Sequence, residues 1–256
     1  MARAALVCGI DLGSASTPSY VCWLDGEDLA FDLYRATEHV PLPSAPDGRA
    51  VAAYALDGPQ GLPEDPGDGG RSARVADRAA RTPTQSLPTS PAGLRELRLY
   101  GPFVRNSVAI FWRMHVTGTA ALLGSRDGAD GAAAVCETWP RLVLRRLLGD
   151  GVAIPSKRRE PEAYARLAWR AVRAQGLRAP GVAVPTVDQV DAALCALAAL
   201  AVARERAGGA AVERLGRAPR PDPTAGFLRE GYIVAPAPPT RDGIGQGTTT
   251  AARNMA

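Results

Sequence analysis

The sequence predicts a mixed α/β fold: an antiparallel β-meander joined to parallel strands and flanked by helices, with a helical insertion at about 71–124. Three observations predict it. Short apolar runs open the chain around a hairpin-type turn, and later apolar runs alternate with helical patterning. The long segment 187–206 is apolar nearly all round, as a helix buried against a sheet must be. One domain, 1–235, accommodates all of these; the tail 236–256, rich in proline, threonine and glycine, lacks apolar periodicity and is expected to be disordered.

The first strand is the run 4–11, which holds Cys8 and Gly9 and ends at Asp11. Runs 20–24 and 29–35 complete the meander, with "LDGED" supplying the Asp-Gly pair that tight hairpins use for positive φ. After a proline-bearing loop, 39–49, the run 51–56 reads as a fourth strand, closed by Asp57, Gly58 and Pro59. A surface loop at 63–70 leads to helical patterning over 71–124, broken by "TPTQSLPTSP" and by Gly101-Pro102. Phe111, Trp112 and Met114 in its last piece are expected in the core. A fifth strand, 132–140, ends near Glu137 and precedes a helix at 141–148. The basic stretch "PSKRREPE" is expected to be an exposed linker to an amphipathic helix at about 162–175. Thr186 and Gln189 form a capping-box pattern at the start of the long helix. After a Pro/Arg-rich stretch, 216–223, a short late strand is expected at 232–234.

Bulk composition narrows the function classes. At 46% hydrophobic and 22% charged residues the chain is not globally disordered. The longest apolar segment, 192–203, is far below the ~20 residues of a membrane helix, and the first apolar run is short and ends in an acid, so a cytoplasmic protein without a membrane partner is expected. Cys8, Cys22, Cys136 and Cys195 show no Cys-x-x-Cys spacing and sit in apolar stretches, which points to buried small hydrophobes rather than a zinc site. His39 and His115 have no partner at metal-ligand spacing. Net charge is +4, and Lys157 is the only lysine. Arginine suits phosphate contacts, so nucleic acid is permitted as a partner, although coding bias yields the same composition.

Three apolar strands end in acids, Asp11, Asp57 and Glu137. Carboxyl ends of strands in α/β sheets face the crevice where ligands bind. Asp188 and Asp191, three apart at the start of the buried helix, lie on one face and bring the candidates for one cluster to five. Like charges at close range are costly, and Mg²⁺ or Mn²⁺, which prefer hard oxygen ligands, offset them. Two such ions ~3.5–4 Å apart activate water and stabilise the leaving oxygen of a phosphodiester. Singly, each acid has a plainer reading: Asp57 as a turn residue, Asp188 as a helix-dipole partner, Glu137 as a cap.

"GIDLGS" with a following meander, together with "DQVDAALCALAAL", is similar to the first-strand and last-helix motifs of the RNase H-like superfamily, RuvC-type resolvases especially. The set "YALDGPQGLP", "RSARVADRAAR", "CETWPRLVL", "DQVDAALCALAA" and "EGYIVAP" resembles the predicted RNase H-like nucleases known as domain of unknown function 429. The resemblance implies an RNase H-like mixed sheet, with Asp11, Asp57, Glu137, Asp188 and Asp191 as catalytic metal ligands for Mg²⁺ or Mn²⁺ in hydrolysis of DNA or RNA. It also draws in Asp77 and the arginines Arg74, Arg78 and Arg81 on one helix face, to meet a phosphate backbone, with Ser14 as a further substrate contact. The family's glycine-rich turn and tryptophan after the first aspartate are replaced here by "LGSASTPSY", with Trp23 later. Two other readings remain. "GIDLGSAST" also resembles the phosphate-binding hairpin of the actin and hexokinase class, where Ser14, Ser16 and Thr17 would hold phosphate for a small-molecule kinase. The alternative is a nonenzymatic binding protein on the same scaffold.

Overall fold

Strand β1 (Leu6–Asp11) is buried at every residue before Asp11, and the sheet is built outward from it. Strands β2 (Ser19–Asp25) and β3 (Asp28–Tyr34) fold back antiparallel and turn at Gly26, whose φ is 62°. On the other edge of β1, β4 (Ala53–Asp57) runs parallel with Asp57 in register with Asp11. Beyond it lies β8 (Ala134–Thr138), also parallel. The far edge of β8 is shared by β7 (Ala121–Leu122) at its beginning and β10 (Phe227–Ala235) at its end. Strand β9 (Glu213–Asp222) pairs antiparallel with β10, giving the order β3-β2-β1-β4-β8-β10-β9. A separate two-residue hairpin joins β5 (Arg71–Ser72) to β6 (Leu87–Pro88). The computed structural model describes residues 4–65, 68–98, 100–124, 132–149 and 151–238.

Side chains alternate across a strand, so each strand feeds two cores. Leu6, Cys8, Ile10, Tyr54, Leu56 and Val135 pack with Ile110, Phe111 and Met114 of helix α3 (Gly101–Thr117), and Trp112 packs against the same cluster. On the opposite face Val7, Ala53, Ala55, Ala134 and Cys136 meet helices α4 (Pro140–Leu148), α5 (Pro161–Arg173) and α6 (Val187–Arg206). The short helices α1 (Val75–Ala80) and α2 (Pro91–Glu96) belong to the 71–124 insertion. Leu62, Leu87, Leu94, Val104 and Phe227 form a smaller core beneath it.

Helix α6 packs on β1 through backbone. A Cβ at Gly9 would stand 2.1 Å from Ala196 N and 2.2 Å from Ala192 O, so no side chain fits between helix and strand. Alanines at 192, 193, 196, 198 and 199 are all fully buried and keep that surface shallow. The close approach sets Asp191, one residue before Ala192, at the level of Asp11.

Two expectations change. The insertion is less helical than its composition implies, because the β5–β6 hairpin and β7 interrupt it. The Pro/Arg-rich stretch is strand through residue 222: it lies in β9, where Pro219 and Pro221 are tolerated because the strand is the last in the sheet and its outer border needs no donors. The late strand is correspondingly longer than 232–234. The expected disorder of the tail concerns mainly 239–256, outside the described residues, as are 66–67 of the 63–70 loop. Among the described residues no helix is long and apolar enough to cross a membrane.

Gly9→Ala is expected to lower stability by about 3 kcal/mol, at the upper end of overpacking costs because the obstacle is helix backbone rather than a movable side chain. Urea denaturation measures it.

Candidate metal centre

Asp11 and Asp57 end adjacent parallel strands, and both fall on the α6 face of the sheet by alternation. Asp191 reaches them from the second turn of α6, whose start is fixed by the expected capping box: Thr186 N donates to Gln189 Oε1 at 2.9 Å, and Gln189 N to Thr186 Oγ1 at 3.2 Å. Oxygens of Asp11, Asp57 and Asp191 lie within 4.8 Å of one another. Burial and the neighbouring charges of Asp191 and Asp57 push the Asp11 carboxyl well above the usual range. Burial likewise raises Asp57, to about 7, with Lys157 opposing and Asp191 and Glu137 adding to the shift. Asp191 is raised by burial, against the pull of Lys157 and a hydrogen bond from Tyr164.

Two residues that the sequence did not single out complete this cluster. Tyr164 Oη, fully buried in α5, donates to Asp191 Oδ1 at 2.7 Å. The ammonium of Lys157 pairs with Asp191 Oδ2 and sits 5.7 Å from the centre of the Tyr164 ring. Burial disfavours its charge, but Asp191, Asp57 and Asp11 together outweigh that and hold its pKa above the ordinary value. The linker is therefore not simply exposed; Arg141 ties it down by donating to Ile154 O and Pro155 O at 2.9 and 3.0 Å. The available signal was compositional, one lysine in a chain of arginines.

Glu137 does not join the three aspartates. In the parallel register Thr138 stands beside Asp57 and Glu137 beside Leu56, so the Glu137 side chain leaves from the opposite face. There it accepts two bonds from Arg74, Nη1 to Oε2 and Nη2 to Oε1, both 2.6 Å, and one from Gln60 N at 2.6 Å. Arg74 also holds Asp77, through Nε at 2.8 Å and Nη2 at 3.0 Å, and Thr82 Oγ1 donates to Asp77 at 2.9 Å. At 1% exposure this arginine is a buried structural clamp with no face for a phosphate backbone. Helix α1 covers only six residues, with Arg74 and Arg81 on its caps and Arg78 on its exposed side donating to Ala73 O; the three do not share an accessible face. Asp188 is exposed beside the cluster, near enough for its charge to raise Asp11 and Asp191. Ser14 Oγ shares hydrogen bonds with Ser16 Oγ at 3.0 Å and Thr17 Oγ1 at 2.9 Å, within its own turn.

The three aspartates fit a small divalent ion. Octahedral Mg²⁺ places ligand oxygens 2.0–2.1 Å from the metal and thus opposite oxygens about 4.2 Å apart, comparable with the spacing of this trio. An all-carboxylate donor set favours Mg²⁺ or Mn²⁺ over softer metals. Glu137, saturated by Arg74 and Gln60, offers no ligand to a second ion.

Fold and site define a mixed α/β protein with an aspartate triad, two half-buried at the carboxyl ends of parallel strands and one buried on the facing helix. Residues 9–214 match the family described as protein of unknown function (DUF429), and the chain belongs to that family. Searches of curated proteins and of solved structures gave no match.

Because Asp57 titrates near 7 in the fold and near 4 when unfolded, the folded state binds more protons across that window and loses stability as pH rises through it. Asp57→Asn should therefore stabilise metal-free protein at pH 8 by on the order of 1 kcal/mol and change little at pH 4, as read by urea denaturation in chelator. Arg74→Met should cost about 3–5 kcal/mol in the same assay, since two buried carboxylates lose their partner.

Proposed function

We propose that this chain is an RNase H-like nuclease that hydrolyses nucleic-acid phosphodiester bonds with one Mg²⁺ or Mn²⁺ held by Asp11, Asp57 and Asp191. The observation that carries the reading is the convergence of these three carboxylates from β1, β4 and α6 within 4.8 Å. An antiparallel meander followed by parallel strands, with acids at the strand ends and on the last helix, supports the fold assignment. Participation of the helix acid favours a nuclease over the phosphotransferase reading, which needs only the strand acid and its hydroxyl turn.

Asp11, Asp57 and Asp191 would hold a divalent ion, which would supply Lewis acidity toward a phosphoryl oxygen, and the Tyr164 hydroxyl fixes the Asp191 carboxylate. Lys157 answers the same excess of negative charge as the ion would, and its ammonium beside Asp191 is placed to neutralise a substrate phosphate. Glu137 is a positioning residue: through Gln60 N it anchors the turn that follows Asp57. Asp188 adds negative potential at the rim rather than a ligand oxygen. Arg81, Arg141 and Arg158 beside the site favour a phosphate-bearing substrate. A cytoplasmic setting accords with four buried, unpaired thiols.

Calorimetric titration with Mn²⁺ should give binding that Asp11→Asn and Asp191→Asn each weaken at least about tenfold. Wild type with Mn²⁺ should cleave DNA, RNA or a hybrid, and Asp11→Asn should lose at least about a thousandfold in rate. Equal Mn²⁺ binding by wild type and Asp11→Asn, with no cleavage by either, would sink the reading.

A further inference from the structure

A cavity of about 700 Å³ opens beside the aspartates, and Asp57 and Lys157 line both it and the metal centre. Two of its acids, Glu137 and Asp77, are engaged by Arg74, and the third, Asp57, belongs to the metal centre. Of its cations Arg74 and Lys157 are paired as well, and the other three stand apart from carboxylates. Arg81 and Arg158 have no carboxylate partner among the described residues, and Arg141 spends two nitrogens on neutral carbonyls. The wall therefore carries uncompensated positive charge, the signature of an anionic ligand.

Aromatic groups supply the other half of the wall. Tyr100 is 58% exposed, an unusual state for so large a side chain, and its φ of 57° at the N-cap of α3 is a left-handed conformation disfavoured for a bulky residue. Trp139 caps α4, and the Arg145 guanidinium covers its ring at 5.1 Å while donating to Ala80 O, which fixes the indole in place. One exposed and one fixed aromatic, combined with arginines that lack carboxylate partners, form the stacking-and-charge surface that accepts unpaired bases without reading sequence. The cavity volume lies in the range of sites that enclose a small ligand. A paired base offers only its groove edge to such a wall, whereas an unpaired one offers its face.

We propose that this cavity seats one unstacked nucleotide of a single strand, its base against Tyr100 and Trp139 and its phosphates against Arg81 and Arg158, delivering the adjoining phosphodiester to the aspartates. The proposal rests on the nuclease reading for its substrate class and narrows that substrate to single-stranded or locally unpaired nucleic acid.

Fluorescence anisotropy with a labelled 12-nucleotide single strand, its duplex, and free AMP as competitor, all in chelator at low salt, tests it. The single strand should bind at least about tenfold tighter than the duplex, and Tyr100→Ala, at an exposed side chain, should weaken strand binding about tenfold. Arg158→Ala should reduce the salt slope by about one. Duplex binding equal to the single strand, or Tyr100→Ala and Arg158→Ala both binding as wild type, overturns the proposal. AMP displacing the strand at equal concentration overturns it in favour of a free-nucleotide site. Mn²⁺-dependent cleavage is followed in parallel. Strand binding that depends on Tyr100 without any cleavage leaves the subsite and removes the nuclease; cleavage indifferent to Tyr100→Ala, with unchanged binding, does the reverse.

Discussion

The missing side chain at Gly9 governs the geometry of the site. Helix α6 comes down onto β1 until its own backbone fills the space a Cβ would need, and Ala192 and Ala196 allow it to do so. Burial of this alanine-rich helix is therefore more than core filling: it sets how deep Asp191 lies relative to Asp11 and Asp57. A larger residue at position 9 would lift the helix and separate the carboxylates, even though Gly9 touches none of them. Sheet register settles the remainder, because Asp11 and Asp57 are direct partners across β1 and β4.

The end of the sheet holds two charge groups, one buried and one partly open, that solve the same problem differently. On one face a guanidinium meets Glu137 and Asp77 in four short bonds, and backbone and hydroxyl donors take up remaining lone pairs. That group is closed and mechanically useful, since it ties β8, α1 and the turn after Asp57 together. On the other face three aspartates share one ammonium, which comes from a linker rather than from the sheet. The second group is unbalanced, and its raised carboxyl pKa values express that imbalance. An imbalance of this kind is tolerable where another cation can enter.

Much of this was legible in the sequence. Strand-terminal acids after apolar runs identify Asp11 and Asp57, and a capping box followed by an apolar helix places Asp191 at the mouth of the core. Glu137 was harder to assign. Strand β8 is apolar on both faces, so Ala134, Val135 and Cys136 carry no polarity signal to say which way residue 137 points. Arg74 fits a helix face only if the helix is long, and α1 stops after six residues. Lys157 and Tyr164 enter the cluster through tertiary contacts alone. Proline in 216–223 argues against a strand in general, yet not against one at the border of a sheet.

That border has a consequence of its own. Strand β9 ends the sheet with two prolines, and Arg214, Arg217 and Arg220 project from it to acids at Glu205 and Glu64. A neighbouring polypeptide seeking to extend the ladder there meets absent N–H groups and bulky charge. The outer rim is thus guarded against self-templating at the one border of the sheet that β9 forms.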